Sequence, residues 1–331
     1  MDDLVQTLAT RAMGTRFELV LVAPGALADG DDRVERRRLR AAAEAAFEVI
    51  HETEARWSLF QASSRLTRLN LEGHRRPVVL DADDLDLWTA VLALREATDR
   101  AFDVDVGRTM GALGHHATGD RGAHLPPPPD PDAPAGELVL EGRHLSLSAP
   151  GPVLDLGAVA KGHALDLAAR ELADAGVTCA LLHGGTSSVR ALGAPPPVGG
   201  GPGAWRVRVP AWSLGDDEAD RDLDLVDLAL GASHASAQTT PAGAGHLVDP
   251  RTGQPVRSAR GALVTAPRAL VADAWATALC IDPTLAPRAA AAGVTVHHPL
   301  PGAEPHPATP HASGHAAPTQ DPRVPDAAAT D

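Results

Sequence analysis

The sequence predicts an α+β fold with flexible insertions rich in proline and glycine. Strand-like and helical segments alternate without the regular rhythm of βαβ units. Neither a GxGxxG nor a GxxxxGK[ST] phosphate loop occurs. The segments "PPPP" and "GAPPPVGGGPGA" interrupt the ordered elements. An α+β architecture therefore fits the chain better than a Rossmann fold.

The first half of the chain predicts a strand, two long helices and a hairpin. "RFELVLVA" is typical of a strand, and the run from Arg33 to Trp57 has apolar residues at helical spacing. In "DADDLDLWTAVLALREATDR", the acidic run from Asp81 to Asp84 indicates the start of a second helix. "ELVLEG" and "HLSLSA" predict a hairpin. Gly114 to Gly136 is rich in Gly, His and Pro, and we expect an irregular excursion there.

The second half predicts further helices and strands, followed by a tail. "AVAKGHALDLAARELADAG" is typical of a helix that closes at Gly176, and "VTCALLHGG" and "WRVRVP" of strands. "RALVADAWATALCI" has helical character and ends at Asp282–Pro283. Residues 299–331 contain few large apolar side chains, so burial there cannot offset the entropy of ordering. We therefore expect a folded region over 1–298 and a disordered tail over 299–331.

Composition excludes several classes of protein. The formal net charge of −14 argues against a non-specific nucleic-acid binder, which needs a basic face. No stretch reaches the roughly 18 apolar residues of a membrane span, and the acidic N-terminus does not match a signal peptide. Cys179 and Cys280 lie in apolar runs without zinc or thioredoxin spacing, so buried thiols are expected. We expect a cytoplasmic protein.

Two segments predict a site for a phosphate and a cation. In "LDLGAVAKGHALD", Gly157 and Gly162 bracket Lys161 at a strand-to-helix turn, where a lysine and a helix N-terminus could hold an anion. The alternative is a plain turn with an exposed lysine. Asp273 and Thr277 are four residues apart in a helix, so their hard oxygens project from one face toward a possible Mg²⁺ or Ca²⁺.

Two further segments carry polar side chains for which the sequence allows either a functional or a structural role. In "AFDVDVG", Asp103 and Asp105 would share a face of an extended chain and accept hydrogen bonds from a ligand, or else cap a helix. In "HLVDPRTGQP", Pro250 and Gly253 indicate a turn, and His246 precedes Asp249 by three residues. The His–Asp pair is either structural or catalytic.

In this order, the segments resemble the ApbE family of flavin transferases. The resemblance runs from "MGTRF" at Met13 to "ADAWATAL" ending at Leu279. Between them stand "EARWSLFQASSRLTRLN", "AFDVDVG", "LDLGAVAKGHALD" and "HLVDPRTGQP". It implies an ApbE-like fold related to the T-fold, a mixed architecture of antiparallel sheet and packed helices. The domain would cover 1–298, with two subdomains around the active site as an alternative.

The resemblance also implies site residues. Those implied to contact FAD are Met13, Ser58, Leu59, Phe60, Ala101, Phe102, Asp103, Lys161, His246 and Leu247. A Mg²⁺ ion would be bound by the side chains of Asp273 and Thr277 and by the backbone oxygen of Ala158. Three segments depart from the family pattern: His163 after "AKG", the run "HGGTSSVRALG", and "ASAQT" near the expected acceptor entrance.

The reaction implied is Mg²⁺-dependent transfer of FMN from FAD to a Ser or Thr hydroxyl of an acceptor protein, with release of AMP. General acid–base chemistry favours His246 as the base, with Asp249 as its orienting partner or as a turn former. An FAD pyrophosphatase that uses water as the acceptor would need the same residues. A protein that binds FAD without catalysis is the third hypothesis.

Overall fold

The computed structural model describes residues 3–23, 32–118, 121–122, 124–130, 132, 135–197, 203–210, 220–234, 247–256 and 261–298. The predicted tail over 299–331, the predicted base His246 and the segment "ASAQT" lie outside these ranges. Everything stated below about the structure concerns the described residues.

Seven helices and sixteen strands are described. The helices are α1 Asp32–Trp57, α2 Arg65–Glu72, α3 Ala82–Ala97, α4 Gly107–Ala112, α5 Ala160–Asp174, α6 Ala269–Ile281 and α7 Ala286–Ala291. The strands of the first half are β1 Leu4–Ala12, β2 Thr15–Ala23, β3 Val78–Val79, β4 Ala117–Thr118, β5 Arg121–Gly122, β6 Leu138–Glu141 and β7 His144–Leu147. The others are β8 Ala180–Gly184, β9 Ser188–Leu192, β10 Trp205–Val209, β11 Arg221–Leu225, β12 Ala229–His234, β13 Val248–Asp249, β14 Gln254–Pro255, β15 Gly261–Ala266 and β16 Thr295–His298.

A seven-stranded antiparallel sheet forms the centre of the fold. Its order is β1-β2-β8-β9-β12-β15-β16. Side chains along a strand alternate between the two faces of a sheet. In β2, Phe17, Leu19 and Leu21 therefore join the core on the helical side, whereas Val20 and Val22 join a second cluster on the other side. This sheet and its packed helices confirm the predicted α+β class.

Helices α1, α5 and α6 cover one face of the sheet. Helix α6 is buried along nearly its whole length, and its many alanines allow other backbones to approach closely. A Cβ on Gly162 would lie 2.4 Å from the carbonyl oxygen of Ala269, and one on Gly231 would lie 2.5 Å from that of Ala272. Gly162 is therefore required by the contact between α5 and α6, which gives the "AKG" glycine a packing role that its sequence position does not reveal.

The hairpin of β10 and β11 covers the opposite face. Trp205, Val207 and Leu225 pack on the sheet through the second cluster. On its outer surface Arg206 pairs with Asp224 at 3.0 Å, and the neighbouring ladder position is paired in the same way. Such exposed ion pairs add little stability, so the apolar face holds the hairpin in place.

Every predicted element is present, but several described elements carry no prediction: β1, α2, β3, α4, β9, β11, β12, β15, α7 and β16. In β1, "LVQTLATRA", apolar and polar residues do not alternate regularly, so the pattern does not indicate a strand. In the described parts of the excursion from Gly114 to Gly136, the two-residue strands β4 and β5 pair with each other, and the rest is irregular. The helix predicted to close at Gly176 ends at Asp174, and Gly176 takes the left-handed φ of +76° that commonly follows a helix.

Burial and hydropathy bear on two further predictions. Cys179 and Cys280 are buried thiols, as expected, and burial raises the pKa of the Cys179 thiol to about 11. In the part of the chain that is described, no helix is both long and apolar enough to cross a bilayer. The cytoplasmic location stays a prediction.

Candidate flavin and metal site

The predicted motifs meet at the N-terminal end of α5. Lys161 lies half-buried in the first turn of this helix. The next backbone N–H, that of Gly162, donates to Oδ2 of Asp273 on α6 at 3.0 Å. The first N–H groups of a helix have no partner within the helix and carry partial positive charge. The structure thus brings together the predicted phosphate-binding lysine and the predicted metal carboxylate, which are distant in sequence.

The Asp273 carboxylate is buried, with only 6% of the residue exposed. The Ser188 hydroxyl contacts its Oδ1 at 2.8 Å and its Oδ2 at 2.9 Å. Desolvation raises the pKa of Asp273 to about 7, although the charge of Lys161, the Ser188 hydroxyl and the Gly162 N–H oppose the rise. The protein groups around Asp273 therefore compensate its negative charge incompletely.

Ser188 is a site residue that the sequence did not predict. It begins β9, inside the segment "HGGTSSVRALG" that departs from the family pattern. The turn before Ser188 lies against the "MGT" turn that is implied to contact FAD. A Cβ on Gly185 would stand 2.6 Å from the Thr15 hydroxyl. The departure thus places a hydroxyl on the predicted metal carboxylate.

Ala158, Asp273 and Thr277 supply the kind of oxygen ligands that Mg²⁺ prefers: a carbonyl, a carboxylate and a hydroxyl. Thr277 lies one turn after Asp273 and is largely buried, and Ala158 lies in the turn that leads into α5. No cluster of three His, Cys, Asp or Glu side chains suited to a metal occurs among the described residues. The predicted Mg²⁺ ligands include a single carboxylate, so the absence of such a cluster does not count against them. The incompletely compensated charge of Asp273 fits a hard cation.

Met13 lies at the tight turn between β1 and β2. Ala12 pairs with Thr15, so Met13 and Gly14 form a two-residue loop, and their φ values are +50° and +71°. Positive φ at both central residues is the requirement of a type I′ hairpin turn. The Met13 side chain packs against the main core from its edge. Met13 is thus held by a strained local backbone next to the turn of Gly185.

The "AFDVDVG" segment lies beside the chain that leads into α5. Ala101 and Phe102 are buried. Oδ2 of Asp103 accepts from Arg95 at 2.8 Å and lies 3.1 Å from Arg100. The other oxygen accepts from the N–H of Asp105 at 3.1 Å, so the Asp103 carboxylate is already occupied by protein donors.

Asp105 has a structural partner of its own, the N–H of Val153, at 2.9 Å. Burial raises the pKa of Asp105. The two aspartates therefore do not form the shared ligand-facing surface that an extended segment would give. Asp105 joins this segment to the one that precedes α5, whereas the partners of Asp103 lie in α3 and in its own segment.

The turn after α1 presents an aromatic side chain. Ser58 accepts from the N–H of Phe60 at 3.2 Å, Leu59 is buried, and 38% of Phe60 is exposed. The Phe60 ring meets the His116 ring nearly at a right angle, with the centroids 6.0 Å apart. A partly exposed aromatic ring beside buried neighbours is suited to contact a planar ligand.

The turn predicted in "HLVDPRTGQP" is present. The carbonyl of Asp249 accepts from the N–H of Gly253 at 2.8 Å, and Gly253 has a φ of +67°. Both carboxylate oxygens of Asp249 are 3.0 Å from the guanidinium of Arg251. Arg251 also donates to Asp282 at 3.0 Å. Leu247 is buried in the main core, and His246 precedes the described residues of this turn.

His163, the family departure after "AKG", gives a pH prediction. It is 1% exposed, and burial, followed by the charge of Arg268, lowers its pKa to about 4. Between its lowered pKa of about 4 and its ordinary pKa of 6.5, His163 is protonated in the unfolded chain and neutral in the folded one, so the free energy of unfolding falls as the pH drops through this interval. The free energy of unfolding can be measured by urea titration at about pH 7.5 and about pH 5. We expect it to fall by about 2 kcal/mol less in His163→Phe than in wild type over this interval.

The matched control for this prediction is His144→Phe, at an exposed position on β7. That variant should keep the wild-type pH dependence. An equal loss of stability in His163→Phe and wild type over the same interval would show that His163 is protonated in the folded protein.

The fold and this site define an α+β protein whose motifs converge on a lysine, a buried carboxylate and a helix N-terminus. The model of the ApbE family matches residues 13–296. The chain belongs to the ApbE family.

Relatives and solved structures agree with this assignment. The FAD:protein FMN transferase of Salmonella typhimurium is 26% identical over 238 residues, which are 68% of this chain and 66% of that protein. The same-named protein of Rhodobacter capsulatus is 34% identical over 155 residues, 44% of this chain and 27% of that protein. The chain thus matches about two thirds of the first relative and about a quarter of the second.

Two solved structures share the fold. The flavin transferase ApbE from Vibrio cholerae has a TM-score of 0.65 at 22% identity, covering 89% of this chain and 93% of that one. The Pseudomonas stutzeri flavinyl transferase ApbE in its apo form has a TM-score of 0.67 at 22% identity, covering 89% and 91%. These matches confirm the predicted ApbE-like fold.

Proposed function

We propose that this chain transfers FMN from FAD to a Ser or Thr hydroxyl of an acceptor protein, with Mg²⁺ as cofactor and AMP as leaving group. The observation that carries the proposal is the buried contact between the start of α5, with Lys161, and Asp273 on α6. It brings together the positive charge of Lys161, the N–H of Gly162 in the first turn of α5 and the Asp273 carboxylate. The names of the relatives support flavin transfer as the reaction.

Mg²⁺ would be held by the backbone oxygen of Ala158 and the side chains of Asp273 and Thr277. When bound, it would offset negative charge on the pyrophosphate oxygens, the main electrostatic demand in transfer of a phosphoryl group. Asp273 would act as a fixed ligand, because Gly162 and Ser188 hold its two oxygens. Lys161 would supply positive charge beside the same oxygens.

The remaining predicted contacts would bind and orient FAD. Met13 and Phe60 present side chains at turns, whereas Leu59 and Leu247 are buried and would support the backbone around them. The Asp103 carboxylate is occupied by arginines. The Ala101–Asp103 segment would therefore contribute mainly through its backbone and through the arginines that it holds.

In the transfer step, the acceptor hydroxyl oxygen forms a bond to the phosphorus of the FMN half. The bond between that phosphorus and the bridging oxygen breaks, and AMP leaves with the bridging oxygen. His246 would take the hydroxyl proton. Asp249 would either orient His246 or hold the turn. With water in place of the acceptor hydroxyl, the same residues would give free FMN.

The test is to incubate the purified protein with FAD, Mg²⁺ and an acceptor domain that carries a Ser/Thr flavinylation motif. We expect an in-gel fluorescent adduct, an equal amount of AMP, and loss of both products in EDTA. An acceptor with its target Ser or Thr replaced by Ala should give no adduct. AMP with free FMN and no adduct would identify a pyrophosphatase, and bound FAD without AMP would identify a carrier.

A further inference from the structure

His116 is buried between two segments of the proposed flavin site. It lies in the Gly/His/Pro-rich segment after α4 and is only 7% exposed. Its Nε2 is 2.8 Å from Oδ2 of Asp155. Its ring and that of Phe60 are nearly perpendicular, in a T-shaped contact with an interplanar angle of 86°. One side chain thus contacts both the exposed aromatic ring and the chain that leads into α5.

The carboxylate fixes which nitrogen of His116 carries a proton. A carboxylate only accepts hydrogen bonds, so Nε2 carries a hydrogen and donates it to Asp155. Nδ1 is buried and has no hydrogen-bond partner among the described residues. A buried polar atom without a partner costs stability, so a hydrophobic residue would satisfy packing alone at lower cost. The use of His here therefore points to the Asp155 contact.

Asp155 shapes the turn that precedes Ala158 and Lys161. Its Oδ1 accepts from the N–H of Gly157 at 2.7 Å, and its own N–H donates to Val104 at 2.7 Å. The His116 hydrogen bond holds the second oxygen, which leaves Oδ1 for the turn. A loss of this donor would free the carboxylate to rotate and would loosen the turn.

The residue before Asp155 is fixed from a third direction. The Asn70 amide, at the end of α2, donates to the carbonyl of Leu154 at 2.9 Å and accepts from its N–H at 2.8 Å. The backbone on the N-terminal side of Asp155 is thereby held in place. Within the turn, the Asp155 side chain with His116 adds to the backbone hydrogen bonds that the Leu156 carbonyl accepts.

We propose that His116 is a positioning residue for the flavin substrate. Its ring orients Phe60 on the aromatic side of the site, and its Nε2–H orients Asp155 and the turn before Lys161 on the phosphate side. The proposal rests on the proposed function for the identity of the substrate. It predicts that two substitutions at this single position have separate effects.

His116→Gln keeps an amide N–H near Asp155 but removes the ring beside Phe60. We expect FAD affinity, measured by flavin fluorescence in EDTA, to fall about tenfold, while the rate of AMP release at saturating FAD and Mg²⁺ stays within about threefold of wild type. His116→Phe keeps a ring but removes the donor. We expect that variant to bind FAD within about threefold of wild type and to release AMP about tenfold more slowly.

Thermal melting and a control at His144 complete the experiment. His144→Ala, at an exposed position on β7, should match wild type in both measurements. If His116→Gln and His116→Phe lose affinity and rate to the same extent, the role of His116 is purely structural and the proposal is overturned. Wild-type affinity and rate in the two variants would also overturn it. If His116→Phe fails to fold, the split between affinity and rate in His116→Gln still decides. A wild-type protein that binds FAD but releases no AMP would refute the proposed function, whereas the binding measurement would still test the contact with Phe60.

Discussion

Asp273→Asn is expected to reduce Mg²⁺-dependent AMP release by roughly 10³-fold, since it removes the single carboxylate of the predicted metal site. The affinity for FAD in EDTA should change by less than about threefold, because Lys161 and the aromatic side remain. Chromatographic measurement of AMP at several Mg²⁺ concentrations would separate weaker Mg²⁺ binding from a slower reaction.

The contacts of Asp273 complicate this substitution in one respect. Gly162 and Ser188 both donate to the carboxylate, and an Asn amide nitrogen would place a third donor among them. One buried donor would then lose its partner, at a cost of about 1–3 kcal/mol of stability. The rate should therefore be compared with thermal unfolding of the same sample.

Two variants control for that loss of stability. Ser188→Ala removes the hydroxyl contact but keeps the charge, so AMP release should stay within about tenfold of wild type. Asp86 lies on α3 and forms an exposed ion pair with Arg268. Asp86→Asn should leave the rate unchanged. Retention of more than about a tenth of the wild-type rate by folded Asp273→Asn would contradict the metal assignment.

Local patterns predict the long helices α1, α3, α5 and α6 and the strands β2, β6, β7, β8 and β10. The helical spacing from Arg33 to Trp57 and the acidic start at Asp81 are visible in the sequence because each involves residues a few positions apart. β1 carries no prediction because polar residues occupy both of its faces: Gln6 and Thr10 lie on the inward face, and the apolar Val5 and Ala9 lie on the outward one. As an edge strand it buries only a part of its surface, so the apolar signal that identifies central strands is weak.

The site was only partly predictable, because its decisive contacts join distant segments. The four-residue spacing of Asp273 and Thr277 is local and was found. The contacts of Asp273 with Ser188 and of Asn70 with Leu154 join residues 85 and 84 positions apart, respectively, and depend on how the sheet and helices pack. His116 lies in a segment whose composition predicts irregular chain, so its buried position had no signal in the sequence.

Gly162 shows how one motif residue can carry two explanations. Its place beside Lys161 suggests a backbone that approaches an anion, but its own N–H donates to Asp273 and that of Ala160 donates to the carbonyl of Leu156. The position tolerates no side chain, because α5 meets the carbonyl of Ala269 there and a Cβ would clash with it. The close contact of α5 with α6 is also what brings the Gly162 N–H to Asp273, so packing and site geometry have the same cause.

His246→Ala is expected to lower the rate of FMN transfer by roughly 10²–10⁴-fold, the usual contribution of a general base, with FAD affinity largely unchanged. His246 lies outside the described residues, so the prediction rests on the motif and on the fixed turn that follows it. Single-turnover measurement of adduct formation, with AMP followed in parallel, would test it. A rate within about threefold of wild type would remove His246 from the mechanism.

Asp249 distinguishes the two roles that its position allows. Both of its oxygens contact Arg251, whose hydrogen bond is the main cause of the lowered pKa of Asp249, and Arg251 is itself anchored to Asp282. These contacts favour the role of turn former. We therefore expect Asp249→Asn to lower the melting temperature and to slow transfer by less than about tenfold.

The double variant decides between these roles. If Asp249 only holds the turn, its effect on the transfer rate should add to that of His246→Ala, because the two residues would act separately. If Asp249 orients the base, Asp249→Asn should slow transfer strongly in wild type and have almost no further effect once His246 is absent. Since the carboxylate is already bound by Arg251 on both oxygens, additive effects are the expected result.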